Sequence, residues 1–266
     1  MLDIRDLTIG FTGRSGVAEV VHGISLSLAR GETLGIVGES GAGKSMLALA
    51  IIGLLPANAR ATGTIDFNGE NLIALPERRL DRLRGAEIGM IFQEPMTALN
   101  PAMTVGHQIA EALLLHTATA RADAHARALQ LMDMVRIARA ETRISAYPHE
   151  LSGGERQRIG IAIALALKPA LLIADEPTTA LDVTVQAEIL DILDDLVTEM
   201  GCGLMLISHD LGVVARMADR VLVMQDGRMM EEGATANVLR NPQSPYTRRL
   251  IAALPRRVRA GLETAP

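Results

Sequence analysis

Tryptophan is absent from this chain, and only two tyrosines and three phenylalanines stand among its 266 residues. Packing therefore falls to Leu, Ile, Val, Ala and Met, and the thirteen methionines read as core filler. A single cysteine, Cys202, excludes an internal disulfide framework and any iron–sulfur cluster held by several cysteines of this chain, which suits a reducing compartment. Long hydrophobic runs are also missing. The most apolar segment, 159–174, is broken by Lys168-Pro169 and falls short of a bilayer span, so it reads as a buried helix followed by a buried strand. The opening MLDIRDLTIG has neither the basic flank nor the apolar run of a signal peptide. A protein that is soluble, or held at a membrane only through a partner, is expected. Positive charge is in deficit too: the net charge is −5 and the pI near 5.7, against the broad basic face that nucleic acid requires. No nucleic-acid partner is expected. The arginines of ERRLDRLRG alternate with Glu77 and Asp81 and read as a solvated helix face, and the basic RRVR after Pro255 as a frayed end.

What is present is an alternation. TLGIVG (33–38), EIGMIF (87–92), ALLIAD (170–175), GLMLIS (203–208) and RVLVMQ (220–225) are short apolar runs ending at small, polar or turn residues, and they read as buried strands. Helix-compatible segments lie between several of them, at 44–54, 183–200 and 211–217. This predicts an α/β fold with a mainly parallel core sheet covered on both faces. QDGRMMEEG predicts a hairpin turning at Asp226-Gly227. Short alternating stretches up to about Asn68 predict a small N-terminal antiparallel β layer. Between Pro95 and Pro148 the strand signal gives way to Ala-rich helical stretches, an α-helical insertion. The expected organisation is a core from 1–94 and 149–240, a helical subdomain 95–148 and a short C-terminal extension 241–266.

GESGAGKS, residues 38–45, follows one strand and precedes a helix, the context a P-loop requires. The backbone N–H groups of Gly38, Ser40, Gly41, Ala42 and Gly43 can close around phosphates, Lys44 can reach the β- and γ-phosphates, and the Ser45 hydroxyl can ligate Mg²⁺. Such a match arises by chance in about one chain in a hundred of this size. LLIADEP sends a strand into two adjacent carboxylates whose side chains should point to opposite sides. Asp175 fits the Mg²⁺-side acid of a P-loop NTPase, and Glu176 could polarise an attacking water. LSGGERQRIGIAIALAL places Ser152, Gly153 and Gly154 at a second helix start, which is read as an ordinary serine N-cap or as a second place for an anion.

GESGAGKS, LSGGERQ, LLIADE and SHD, in that order, resemble the ATP-binding subunit of an ABC transporter, a P-loop NTPase. The resemblance implies that ATP and Mg²⁺ are the cofactors and that LSGGE is the ABC signature, with Glu155 in place of the more usual glutamine as a tuned contact. Gln93, in IFQEP, is implied as the nucleotide-sensing and metal-side residue that couples to the membrane partner. His209, in ISHD, is implied as the γ-phosphate sensor, and Asp182, in TTALD, as the loop crossing the dimer interface. Phe11 is the candidate to stack on adenine. In this family ATP on one subunit's P-loop is covered by Ser152 and Gly154 of the facing subunit, so ATP joins the pair and hydrolysis lets it open. Finer stretches, IFQEPMTALNPAMTVGHQI, YPHELSGGERQRIGIAIAL and NPQSPYTRRLIAALP, resemble the peptide/nickel group of importers. That implies coupling of ATP hydrolysis to uptake of peptides or of nickel and other metal chelates. The implied partners are a sister or identical ATPase subunit, two membrane permeases and, indirectly, a solute-binding protein, at the cytoplasmic face of the inner membrane. The absence of a C-terminal cysteine cluster leaves a metal-chelate cargo open beside a peptide. A soluble ABC ATPase without a transport role is the alternative.

Overall fold

A computed structural model describes residues 1–13, 16–93, 98–179 and 181–253. RRVR, and Ala180 within TTALD, lie outside the described residues. The strands in chain order are β1 (Leu2–Gly13), β2 (Gly16–Leu28), β3 (Thr33–Val37), β4 (Ala59–Phe67), β5 (Glu70–Asn71), β6 (Ile88–Ile91), β7 (Leu171–Asp175), β8 (Gly203–Ser208), β9 (Arg220–Gln225) and β10 (Arg228–Ala234). The α-helices are α1 (Lys44–Ile51), α2 (Glu77–Leu83), α3 (Val105–His116), α4 (Arg121–Met134), α5 (Ala140–Arg143), α6 (Gly153–Leu165), α7 (Val183–Met200), α8 (Leu211–Met217), α9 (Thr235–Arg240) and α10 (Pro245–Ala253). The chain divides into two compact units, Met1–Leu80 with the chain from Leu204 onward, and Asp81–Gly203.

In the first unit, β2, β1, β4 and β5 form an antiparallel sheet in that order, the small layer expected from the sequence and continued past Asn68. Leu2, Ile4, Leu7 and Ile9 of β1 are buried with Ile24 and Leu26 of β2 and Ile65 and Phe67 of β4. β3 is buried at every position, as a parallel strand covered on both faces must be. It pairs in parallel with β8 on one side and β9 on the other, and β10 lies antiparallel on β9. The β9–β10 turn is the expected two-residue one, with Asp226 at φ 47° and Gly227 at φ 72°. Both are left-handed, as a type I′ turn needs.

In the second unit, β6 and β7 pair in parallel, and α3 to α5 occupy most of the stretch where a helical insertion was expected. Helix α6 packs close on β6: a Cβ at Gly89 would stand 2.4 Å from the Ala164 carbonyl oxygen. Helix α7 buries Ile189, Leu190, Ile192, Leu193, Leu196 and Val197, one apolar stripe at helical spacing. No helix among the described residues is long and apolar enough to cross a membrane.

Two expectations need correction. Helix α1 stops at Ile51 rather than Leu54 because Gly53 takes a left-handed φ of 66° and the Leu54 N–H closes back on the Leu49 carbonyl at 2.8 Å. Of the methionines, only Met132, Met205 and Met224 belong to the buried core among the described residues. Leu, Ile, Val and Ala fill nearly all the rest, with Phe67, Cys202 and Tyr246 beside them, so the flexible thioethers stand mainly at its margins.

Candidate functional site

The phosphate loop begins where β3 ends. Two parallel neighbours hold β3, with Val37 opposite Ser208 of β8 and opposite Val223 of β9. The loop therefore leaves the carboxyl end of a central strand, where open α/β sheets bind ligands. Its glycines answer to particular contacts. A Cβ at Gly38 would lie 2.2 Å from the Met224 carbonyl oxygen, and one at Gly43, at φ 92°, 2.9 Å from the Val20 carbonyl oxygen. Gly41 faces open space but sits at φ 85°, which side chains with a Cβ avoid. Lys44 is 5% exposed, and its Nζ donates to the carbonyls of Gly38 at 2.8 Å and Glu39 at 3.0 Å. The ammonium is thus held inside the loop it would serve. Ser45 follows it in the first turn of α1, half-buried.

His209 leaves the carboxyl end of β8, the strand beside β3, and is exposed. Its flanks are fixed: the Asp210 N–H donates to Ser208 Oγ at 3.0 Å, and Asp210 caps α8 by accepting from the Gly212 N–H at 2.7 Å. The loop and the histidine therefore share one edge of the first unit. Phe11 lies half-buried on β1, opposite Ala18 of β2 and Ala59 of β4.

In the second unit, Gln93 and the carboxylate pair also leave the ends of parallel neighbours, with Ile91 of β6 opposite Ala174 of β7. Asp175 ends β7 with 4% exposure. Glu176 stands just beyond it at φ 48°, a strained conformation for a residue with a side chain. Gln93 Nε2 donates to Glu176 Oε2 at 3.2 Å, and Thr179 Oγ1 donates to the same oxygen at 2.8 Å. Gln93 and Glu176 are so brought together across a sequence separation of 83 residues. The Thr179 contact was not anticipated. No set of three or more His, Cys, Asp or Glu side chains among the described residues is arranged to hold a metal ion.

At LSGGE, Ser152 is the N-cap of α6 and forms a reciprocal capping box with Glu155. The Glu155 N–H donates to Ser152 Oγ at 3.3 Å, while the Ser152 N–H and hydroxyl donate to Glu155 Oε2 at 2.8 and 2.9 Å. The departure from glutamine thus has a local use, since either side chain can close this box. Burial alone would raise the Glu155 carboxyl, but the bonds from Ser152 and the positive charges of Arg143, 3.6 Å away, and Arg158 hold it below its ordinary range. A Cβ at Gly154 would come 2.7 Å from Val185 Cγ1, so the helix start lies against the beginning of α7. There Asp182 caps α7, accepting from the Val185 N–H at 3.0 Å. Ser152, Gly153, Gly154, Asp182, Arg136 and Arg158 line one open cleft.

A family profile described as ABC transporter matches residues 21–179. A probable peptide ABC transporter ATP-binding protein, y4tR of Sinorhizobium fredii, is 50% identical over 100% of this chain and 80% of its own length. The oligopeptide transport ATP-binding protein OppD of Salmonella typhimurium is 49% identical over 99% of this chain and 78% of its own. Among solved structures, the ATP-binding cassette MJ0796, in a dimeric post-hydrolysis state with ADP and Pi, superposes with a TM-score of 0.78 at 27% identity. That match covers 88% of this chain and 99% of that one.

Proposed function

This chain belongs to the ABC transporter family of ATPases, and we propose that it hydrolyses ATP to drive uptake of peptides through a pair of membrane permeases. The carrying observation is identity of 50% and 49%, over nearly the whole chain, with ATP-binding proteins named for peptide and oligopeptide transport.

In this reading the 38–45 loop holds the phosphates, Lys44 neutralises the β- and γ-phosphates, and Phe11 stacks on adenine. Glu176 is the general base: Thr179 and Gln93 both donate to its Oε2 and orient the carboxylate that takes a proton from the attacking water. His209 senses the γ-phosphate. Asp175, a buried carboxylate, the Ser45 hydroxyl and Gln93 offer hard oxygen donors, the kind Mg²⁺ takes, and in this reading they would hold it. When bound, Mg²⁺ would supply charge neutralisation of the phosphates. Ser152, Gly153 and Gly154, with Asp182 beside them, cover the nucleotide of a facing ATPase subunit, sister or identical. The division into core 1–94 and 149–240, helical subdomain 95–148 and extension 241–266 belongs to this reading, with the helical subdomain and Gln93 facing the permeases. So does a peripheral place at the cytoplasmic face of the inner membrane, with a solute-binding protein delivering cargo.

Proteoliposomes holding this chain with its partner ATPase, permeases and solute-binding protein test the cargo. ATP-dependent accumulation of labelled di- and oligopeptides is expected. Accumulation of a nickel chelate but no peptide would transfer the assignment to metal uptake, and neither, with ATPase activity intact, would end the transport reading.

A further inference from the structure

The stretch NPQSPYTRRL near the end of the chain is tied to the phosphate loop. Strand β10 supplies the anchor: Glu231 accepts the N–H groups of Gln243 at 2.8 Å and Ser244 at 3.0 Å, fixing the turn that leads into α10. Burial opposes ionisation of Glu231, but these bonds, together with the charge of Arg248, hold its carboxyl below the ordinary range. Ser244 Oγ accepts from the Tyr246 N–H at 3.2 Å, and Arg248 braces the same turn from the Pro242 and Gln243 carbonyls, each at 3.0 Å. So anchored, Tyr246 is 4% exposed, and the Arg249 guanidinium lies over its ring. Its hydroxyl accepts the backbone N–H of Glu39 at 3.3 Å.

Glu39 is the second residue of the phosphate loop, and its peptide groups are held from several directions. The N–H goes out to Tyr246, while the carbonyl accepts from Lys44 Nζ and from the Ala42 N–H at 3.1 Å. Burial and the neighbouring carboxylates of Glu39 and Asp226 raise the Tyr246 hydroxyl above its ordinary value, so it stays neutral and available. The loop's other side is pinned by the β9–β10 turn, where the Gly227 N–H donates to the Ala42 carbonyl at 3.2 Å. A phosphate cradle works only if its N–H groups are preset toward one point, and a peptide free to flip would lose that convergence.

From this geometry we infer that Tyr246 is a positioning residue for nucleotide binding: it fixes the Glu39 peptide and so makes the phosphate loop's affinity depend on the C-terminal helix. The inference rests on the P-loop reading above. Full-length Tyr246→Phe keeps the ring and removes only the hydroxyl. Calorimetry with Mg-ADP should show roughly two- to tenfold weaker binding, the size of one neutral hydrogen bond. Melting of the nucleotide-free protein should fall by no more than about 4 °C. Amide exchange should speed up across residues 38–42 and stay unchanged across 220–225. Unchanged affinity, or weaker binding with unchanged exchange at 38–42, overturns the inference. Lys44→Ala separates the two ideas. If it weakens Mg-ADP binding by about tenfold or more while Tyr246→Phe does not weaken it, the P-loop reading stands and the clamp falls; if it leaves affinity within about twofold, both fall.

Discussion

Two helix starts carry the chemistry proposed for this chain, and they are finished in opposite ways. Helix α1 begins after Gly43, which sits at φ 92° and offers no side-chain cap, and no acidic residue stands in its first turn. Helix α6 begins at Ser152 with a complete capping box and Glu155 in its first turn. A helix start carries unpaired N–H groups and partial positive charge. The first start has neither a side-chain cap nor a carboxylate of its own, and Lys44 adds a cation there. The second has already satisfied one N–H and offset the charge with its own carboxylate. On the proposed reading the phosphate loop is therefore an anion site in its own right. The signature helix is a stable element that needs an anion brought to it.

The largest effect belongs to neither helix start. Glu176→Gln keeps the hydrogen-bonding shape that Gln93 and Thr179 engage but cannot accept a proton, and general-base catalysis is worth about 10²- to 10⁴-fold. ATP turnover of the assembled transporter should fall by that factor while Mg-ATP binding survives at the open start. Turnover within a few-fold of the parent would remove Glu176 from its role. Next comes Lys44→Ala, which takes the cation out of the open start. At roughly 1.5–3 kcal/mol for a charge-assisted bond, Mg-ATP affinity should weaken by about 10- to 150-fold, read by calorimetry on a chain whose circular dichroism is unchanged. Affinity within twofold would break the contrast, because the start would then not be the anion site.

Much of this was legible in the residues. The β3, β6, β7, β8 and β9 strands fall within one residue of their apolar runs, because a buried parallel strand must be apolar throughout and the flanking turn residues mark its ends. The S-x-x-E spacing of Ser152 and Glu155 is itself the signature of a capping box, although the cap was read from the serine alone. The Gln93–Glu176 bond could be expected only through family resemblance, since no local pattern joins residues so far apart. Tyr246 was out of reach: its partner is a backbone N–H, which any residue at position 39 would present, so nothing in side-chain chemistry marks the pair.

A smaller effect sharpens the contrast from the closed side. Ser152→Ala removes the hydroxyl that accepts the Glu155 N–H, and loss of such a cap costs about 0.5–2 kcal/mol. The melting temperature should fall by about 2–6 °C. Mg-ADP affinity of the separated subunit should stay within twofold, because the nucleotide there meets only the open start. A fall in that affinity comparable to the Lys44→Ala effect would mean that the two starts are not independent in one subunit.

The smallest effect concerns the charge that closes the second start. In Glu155→Gln the side-chain carbonyl can still accept the Ser152 N–H, so the box survives, but the negative charge beside the helix start and near Arg143 and Arg158 is gone. The parent carboxyl sits below its ordinary value in the folded protein. It therefore contributes stability that is fully present above the unfolded value and is lost as pH falls through the folded one. Near pH 7 the variant should be the less stable by under about 1 kcal/mol. On acidification the parent protonates, loses the same charge and should converge on the variant. Melting both proteins in parallel from neutral pH downward measures the gap, which should close with falling pH. A constant gap would mean that shape rather than charge completes the cap. In that case the signature helix start would keep its positive end for an incoming phosphate, and the difference from the start at Lys44 would reduce to a single satisfied N–H.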